Sequence, residues 1–235
     1  MGEITLKSFV DKISRFAHTT GCDQLRILED LLDYIIGNFS TTRHVIPHWS
    51  YTEVQNEFFF ELMKEYLNLC DTELSRGGWY DAWGDLFMEL KGNSAGYRNQ
   101  FFTPPSLANL ASRFTVSGSK SHCKTFGNRV TIGDLTCGSG RMLLAAHWTF
   151  YMTGQEQPYL IAEDIDSICC KMTAVNMAIH GCYGEVICHD SLMNPKSINA
   201  GYIINECMYP FKDGIPSIRI TTDKQRFVFN FCESC

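Results

Sequence analysis

Val130-Thr-Ile-Gly-Asp-Leu-Thr-Cys-Gly-Ser-Gly-Arg-Met-Leu143 is the stretch on which the reading of this chain turns. It starts as a short apolar, β-branched run, the composition of a buried strand. Gly138 and Gly140 then form a turn, and Arg141 to Met152 has helical composition. Strand, glycine turn and helix together open a nucleotide-type site. The glycines let backbone approach a ligand, and the helix N-terminus presents free N–H groups. A lone Gly-x-Gly also marks a plain tight turn, so its neighbours must decide.

Downstream, strand and helix patterns alternate. Val130–Leu135, Tyr159–Asp164, Glu185–His189 and Gly201–Asn205 read as strands, with helices over Arg141–Met152 and from about Ser167 to Ile179. Such alternation predicts parallel crossovers and a sheet covered on both faces. Ser217–Thr221 and Arg226–Asn230 flank a polar turn and read as a β-hairpin.

Upstream the period is helical. Phe9, Val10, Ile13, Phe16 and Ala17 share one face. Leu25 to Ile36 make a second stripe after Asp23, a good N-cap, and Gly37 closes it. Ser50-Tyr-Thr-Glu53 reads as a capping box opening a third helix, and Trp79, Trp83, Leu86, Phe87 and Leu90 form a fourth stripe. A short helix is expected from Ser106 to Phe114, and an exposed loop from Thr115 to Asn128. The predicted organisation is a helical region over residues 1–95 followed by an α/β domain over residues 96–235.

Composition narrows the function. At 235 residues, 45% of them apolar, the chain can bury a sizeable core. No run of about 18 apolar residues stands in it, so no membrane span is expected. The N-terminus lacks the basic-then-apolar layout of a secretory signal. Eleven cysteines, an odd number, point to reduced thiols and a cytoplasmic protein rather than a disulfide framework. Cys232-Glu-Ser-Cys235 has no second pair at zinc spacing, so no metal is expected. A net charge of −6 makes the chain a poor nucleic-acid binder on its own, so any basic surface is expected from a partner or a further segment.

Acidic residues close the predicted strands. Asp134 ends the first; Asp164 ends the second, 24 residues after Gly140; Asp190-Ser191 follows the third. Each alone could be a turn or helix cap, but acids at three neighbouring strand ends have the pattern of a pocket. The third glycine of the dinucleotide fingerprint is missing, and no Gly-Lys-Ser/Thr follows the turn. Neither a dinucleotide nor a P-loop site is indicated.

Gln100-Phe-Phe-Thr-Pro104, Asp134-Leu-Thr-Cys-Gly-Ser-Gly140, the acid after the second strand and His189-Asp-Ser-Leu192 resemble, in order and spacing, the motifs of N6-adenine DNA methyltransferases. The likeness runs from about Trp79 to Pro195 and is closest to the methylation subunit of type I restriction–modification systems. It implies a Rossmann-like S-adenosylmethionine-dependent methyltransferase sheet, shortened at its C-terminal end and preceded by an α-helical region. It also implies S-adenosylmethionine as cofactor and DNA as the partner substrate, reached through a specificity subunit. By this resemblance Phe102, Thr103 and Pro104 line the methionine end of the donor, and Asp134 holds its amino group. Thr136, Gly138 and Gly140 shape the loop beside it. Asp164 takes the ribose hydroxyls and Ile165 packs on the adenine ring. Asp190 accepts from the adenine amino group, with Ser191 and Leu192 adjacent.

The family's catalytic motif, Asp/Asn/Ser-Pro-Pro-Phe/Tyr, follows the fourth strand. There its acceptor and aromatic ring hold the flipped base. Here the matching place reads Asn205-Glu-Cys-Met-Tyr-Pro-Phe211: Pro210 and Phe211 remain, and Met208 stands where the acceptor belongs. A thioether cannot accept usefully from an amide-like N–H. Asn205 substitutes only if the loop is rebuilt. Two functional readings follow, an adenine methyltransferase working with a partner, or a catalytically impaired donor-binding subunit or regulator. An unrelated nucleotide-binding α/β protein is the third.

Overall fold

The computed structural model describes residues 5–42, 51–76, 78–91, 102–118, 125–126, 129–193, 197–206, 215–223 and 227. Four helices come first. α1 (Leu6–Thr20) starts on a reciprocal cap between Thr5 and Ser8 and ends at Gly21, whose φ of 69° is the left-handed stop that glycine tolerates. α2 (Gln24–Phe39) starts on Asp23, which accepts from the Leu25 and Arg26 N–H groups, and runs through Gly37 instead of ending there. α3 (Glu53–Ser75) is capped by Thr52 and Gln55, two residues later than the expected box. α4 (Ala82–Lys91) follows. α5 (Pro105–Gly118) carries proline at its first position, where no N–H is needed, and extends past Phe114.

The sheet contains β1 (Thr125–Phe126), β2 (Arg129–Asp134), β3 (Tyr159–Asp164), β4 (Tyr183–Cys188), β5 (Ala200–Ile204) and β6 (Ile218–Ile220), hydrogen-bonded in that order. β2, β3 and β4 are parallel, with Thr131 opposite Tyr159 and Tyr159 opposite Tyr183. They are joined by α6 (Arg141–Met152) and α7 (Ser167–Ile179). Because each crossover steps to the next strand in the same direction, right-handedness puts both helices on one face. On that face Leu160, Ala162, Val186 and Cys188 share a single apolar core with α6, α7 and all four N-terminal helices.

The central strands are buried on both faces, as expected: every residue of β3 is buried, and every residue of β4 after Tyr183. On the second face lie buried Ile161 and a small cluster of Ile187, Ile203 and Phe227, with Ile198 against it. That face also carries buried polar pairs: Tyr159 donates to Glu185 (2.6 Å), and Glu163 meets His189 Nε2 (2.6 Å).

One correction bears on function. The fourth predicted strand, β5, runs antiparallel to β4, with Cys188 opposite Ala200 and Gly184 opposite Ile204. Among its described residues the connection from His189 to Asn199 contains no helix, and a parallel return needs a crossover of a dozen residues or more. The chain instead turns back at once, and the Asn199 N–H donates to Cys188 O (2.9 Å). β5 thus ends at the edge where β4 begins. β6 pairs antiparallel with β5; Arg226 and Val228 to Asn230, in the second arm of the expected hairpin, lie outside the described residues. No helix among the described residues is long and apolar enough to cross a membrane, and the described cysteines are free thiols.

Candidate functional site

β2, β3 and β4 end at one edge, and the chain there is laced together by backbone. The Cys137 N–H donates to Glu163 O (2.8 Å), and the His189 N–H donates to Asp164 O (3.0 Å). These bonds draw the glycine turn and the Asp190 turn onto the end of β3. Asp134, on β2, and Asp190, after β4, flank it on either side.

The turn has its shape because Gly138 (φ 56°) and Gly140 (φ 81°) adopt the left-handed region. Space demands glycine as well. A Cβ on Gly138 would sit 2.8 Å from Phe102 Cε1, and one on Gly140 would sit 3.0 Å from Thr173 Cγ2. The Gly138 N–H donates to Asp164 Oδ2 (2.9 Å), and the Thr173 hydroxyl donates to Gly138 O (2.9 Å).

The carboxylates differ in their neighbours. Asp134 is half-buried and accepts from the Thr136 N–H (3.1 Å); burial pushes its pKa up, and that one N–H only partly offsets it. Asp164, buried, accepts from Gly138 and, through Oδ1, from the Asp166 N–H (2.9 Å). Its pKa is also raised by burial against those bonds. The Ile165 N–H also opposes that rise, and a carboxylate's roughly four lone-pair sites leave Asp164 acceptor capacity beyond these backbone donors. Asp190 accepts from the Leu192 and Met193 N–H groups, which places half-buried Ser191 inside the turn. Ile165 and Leu192 expose 50% and 89% of their surface beside these acids, an apolar pair at a polar edge.

Phe102 stacks near Phe87 (5.6 Å between ring centres) and covers Gly138. Thr103 O accepts from Arg141 Nη1 (3.1 Å). Pro104, exposed, offers its carbonyl to the Leu107 and Ala108 N–H groups at the head of α5. The converging side chains are carboxylates, not cations. That set suits a ligand with hydroxyl and amino donors and a flat apolar ring, and it does not suit a polyphosphate. Among the described residues no group of three metal-ligating side chains occurs.

Asn205 is brought nowhere near this edge. At the end of β5 it is 1% exposed, with φ 56°. Its Nδ2 donates to Ala178 O (3.1 Å) and Cys182 O (2.8 Å), and its Oδ1 accepts from the Ser217 N–H (2.9 Å). The whole amide is engaged in tying β5 and β6 to the start of β4, so the reading of Asn205 as a stand-in catalytic acceptor is corrected. Met208, Pro210 and Phe211 lie outside the described residues.

Sequence reasoning passed over the residues beneath the turn. Asp81, Arg141 and Asn176 form a buried polar cluster there. The one available signal was a cation at the first position of α6, where the helix dipole disfavours it. A separate groove of about 800 Å³ lies between α5 and α6, lined by Asn109, Arg113, Trp148 and Met152 among others, and no carboxylate of the strand ends reaches it.

Residues 80–228 match the family model described as N-6 DNA Methylase. No curated protein matches the chain. Among solved structures, the fold is similar to a protein described as a class I S-adenosylmethionine-dependent methyltransferase from Listeria monocytogenes. That pair has 12% identity and a TM-score of 0.55, over 91% of this chain and 64% of that one. A type I restriction-modification system methyltransferase subunit from Streptococcus thermophilus also matches. There the identity is 19% and the TM-score 0.39, over 83% of this chain and 42% of that one. The second superposition is too loose to bear on the fold. The chain spans less than two thirds of the length of either structure.

Proposed function

The chain belongs to the N-6 DNA methylase family, and from that premise we propose that it is the donor-binding part of an adenine N6-methyltransferase acting on DNA with a partner. The family's methyl donor is S-adenosylmethionine, whose sulfonium supplies an electrophilic methyl group. The observation that carries the proposal is the Gly138 turn, pinned to Asp164 at the end of β3 between Asp134 and Asp190.

The residues present fit this donor. Asp134 is a desolvated carboxylate with one backbone donor, and a cationic amino group would relieve its burial. Asp164 keeps acceptor capacity for a vicinal diol. Ile165 and Leu192 offer apolar surface to an adenine ring, and Asp190 lies beside them for its amino group. Phe102 and the backbone of Thr103 bound the other end. For the acceptor side, a nucleophilic adenine nitrogen needs a hydrogen-bond acceptor and a stacking ring. Pro210 and Phe211 are the residues of this chain that we assign there. With net charge −6, DNA engagement is assigned to the partner.

One observation favours a second reading, a donor-binding subunit or regulator without catalysis of its own. The ends of the segment holding Met208 and Phe211 are anchored by Asn205 and Ser217 at the edge away from the turn. Calorimetric titration with S-adenosylmethionine and S-adenosylhomocysteine tests the donor site, and binding of both is expected. Transfer of labelled methyl to duplex DNA by the chain alone separates the readings. Turnover without partner would remove the need for one; donor binding without transfer in any complex would leave the regulator.

A further inference from the structure

We propose that Asp81, just ahead of α4 in the helical region, is a positioning residue for the donor site, acting through Arg141, Ser139 and Asn176. This rests on the donor reading above. Asp81 is 2% exposed, and among the described residues four donors converge on its carboxylate. The Gly84 N–H (2.8 Å) and Asn176 Nδ2 (2.8 Å) donate to Oδ1. The Ser139 hydroxyl (2.6 Å) and Arg141 Nε (2.7 Å) donate to Oδ2. A carboxylate has about four lone-pair sites, so this one is saturated and none remains for a ligand.

What those donors hold is the floor of the site. Ser139 is the middle residue of the glycine turn, and Asn176 also grips the turn's backbone through Ser139 O (2.9 Å). Arg141 works in three directions. Nε meets Asp81, Nη2 meets Asp85 (2.5 Å), and Nη1 reaches Thr103 O (3.1 Å). One guanidinium thereby fixes the Phe102–Pro104 segment relative to the turn. Its position opposes the helix dipole, and Asp81 and Asp85 offset that cost. A lysine cannot reproduce the fork.

Gly84 shows how close the two regions come. A Cβ there would run into Asp81 Oδ2 and lie 2.7 Å from Ser139 Oγ. A helix docked only for stability could have been packed with apolar side chains, since buried ion pairs commonly give no net stability over them. This contact instead aims hydrogen bonds at the two pieces of backbone that bound the donor's amino-acid end. The adenosine end, at Asp164, Ile165 and Asp190, receives no bond from Asp81 or Arg141 among the described residues.

The test compares two ligands that differ at the amino-acid end. Arg141→Lys, Ser139→Ala and Asp81→Asn are titrated with S-adenosylhomocysteine and with 5′-methylthioadenosine. The variants are expected to bind S-adenosylhomocysteine about tenfold or more weakly, the scale on which supporting contacts act, while 5′-methylthioadenosine changes less than about twofold. Leu31→Ala, a fully buried core change in α2 away from the network, is the control for lost stability: its melting temperature falls and neither affinity moves. Asp81→Asn leaves Arg141 paired with Asp85 alone among the described residues; if it does not fold, Arg141→Lys and Ser139→Ala decide. Equal loss for both ligands, or no loss for either, overturns the proposal. A folded wild-type chain that binds neither ligand overturns the donor reading itself, a failure distinct from the absence of a split.

Discussion

The two edges of the parallel strands are built from similar materials and do opposite things. At the carboxyl edge Gly138 and Asp164 bond to each other and leave acceptor capacity over, with 50% of Ile165 and 89% of Leu192 exposed alongside. At the amino edge Asn205 takes up a left-handed conformation too, but every atom of its amide is bonded to backbone and the site is closed. The difference is one of completeness. A buried polar group that is fully satisfied makes a structural tie; a desolvated one with spare acceptors makes a ligand site.

The largest expected effect breaks the open edge. Asp164→Ala removes the acceptor of the Gly138 N–H and leaves the turn held to β3 only by the Cys137–Glu163 backbone bond among those described, and S-adenosylhomocysteine affinity should fall at least a hundredfold, about 2.7 kcal/mol. Calorimetry reads this directly, and a loss under tenfold would move the ribose role to another acid. The mirror-image change comes next. Asn205→Gly keeps the backbone φ accessible but strands the Ser217 N–H and takes a donor from each of the Ala178 and Cys182 carbonyls. Stability should fall by about 2 kcal/mol, a melting shift of roughly 4–8 °C, with donor affinity unchanged. Weakened donor binding in a folded Asn205→Gly protein would mean that the two edges are coupled.

How much of this was legible in the sequence divides along the same line. The carboxyl edge was, because strand ends, left-handed glycines and the Asp166 cap are set by local chemistry within a few residues. The helices were legible for the same reason, with boundary shifts such as Thr52 replacing Ser50 as cap. The direction of β5 was not. Alternation of strand and helix forecasts parallel pairing only while helices intervene, and none stands between Cys188 and Ala200 among the described residues. Nor was the Asp81 cluster: the side chains of Ser139, Arg141 and Asn176 reach Asp81 across 58 to 95 positions, and no periodicity reports such a distance. Arg141 at the head of α6 was the visible breach of a local rule, and such breaches gather where a site is held.

The smallest effect sharpens the contrast most. Asp134 is a carboxylate whose pKa burial raises above 3.8. Above that raised value it is charged in both folded and unfolded chains, and its burial costs the folded state. As pH falls, the folded chain takes up its proton before the unfolded one, and the cost disappears once both are protonated. Asp134→Asn retains an acceptor for the Thr136 N–H and removes the charge. The variant should therefore be slightly more stable than the wild type at neutral pH, by about 1 kcal/mol or less, with the advantage shrinking on acidification. Donor binding should move the other way. Holding a cationic amino group needs the ionised carboxylate, so wild-type affinity should weaken as pH falls towards the raised pKa. The variant should start about tenfold weaker and lack that slope. Titrations from about pH 8 to about pH 5, paired with thermal melts, read both quantities. A wild type and variant with the same pH slope would place the amino group on another residue. Opposite signs in stability and affinity would mark Asp134 as a charge kept at a stability cost for its ligand, which nothing at the Asn205 edge is.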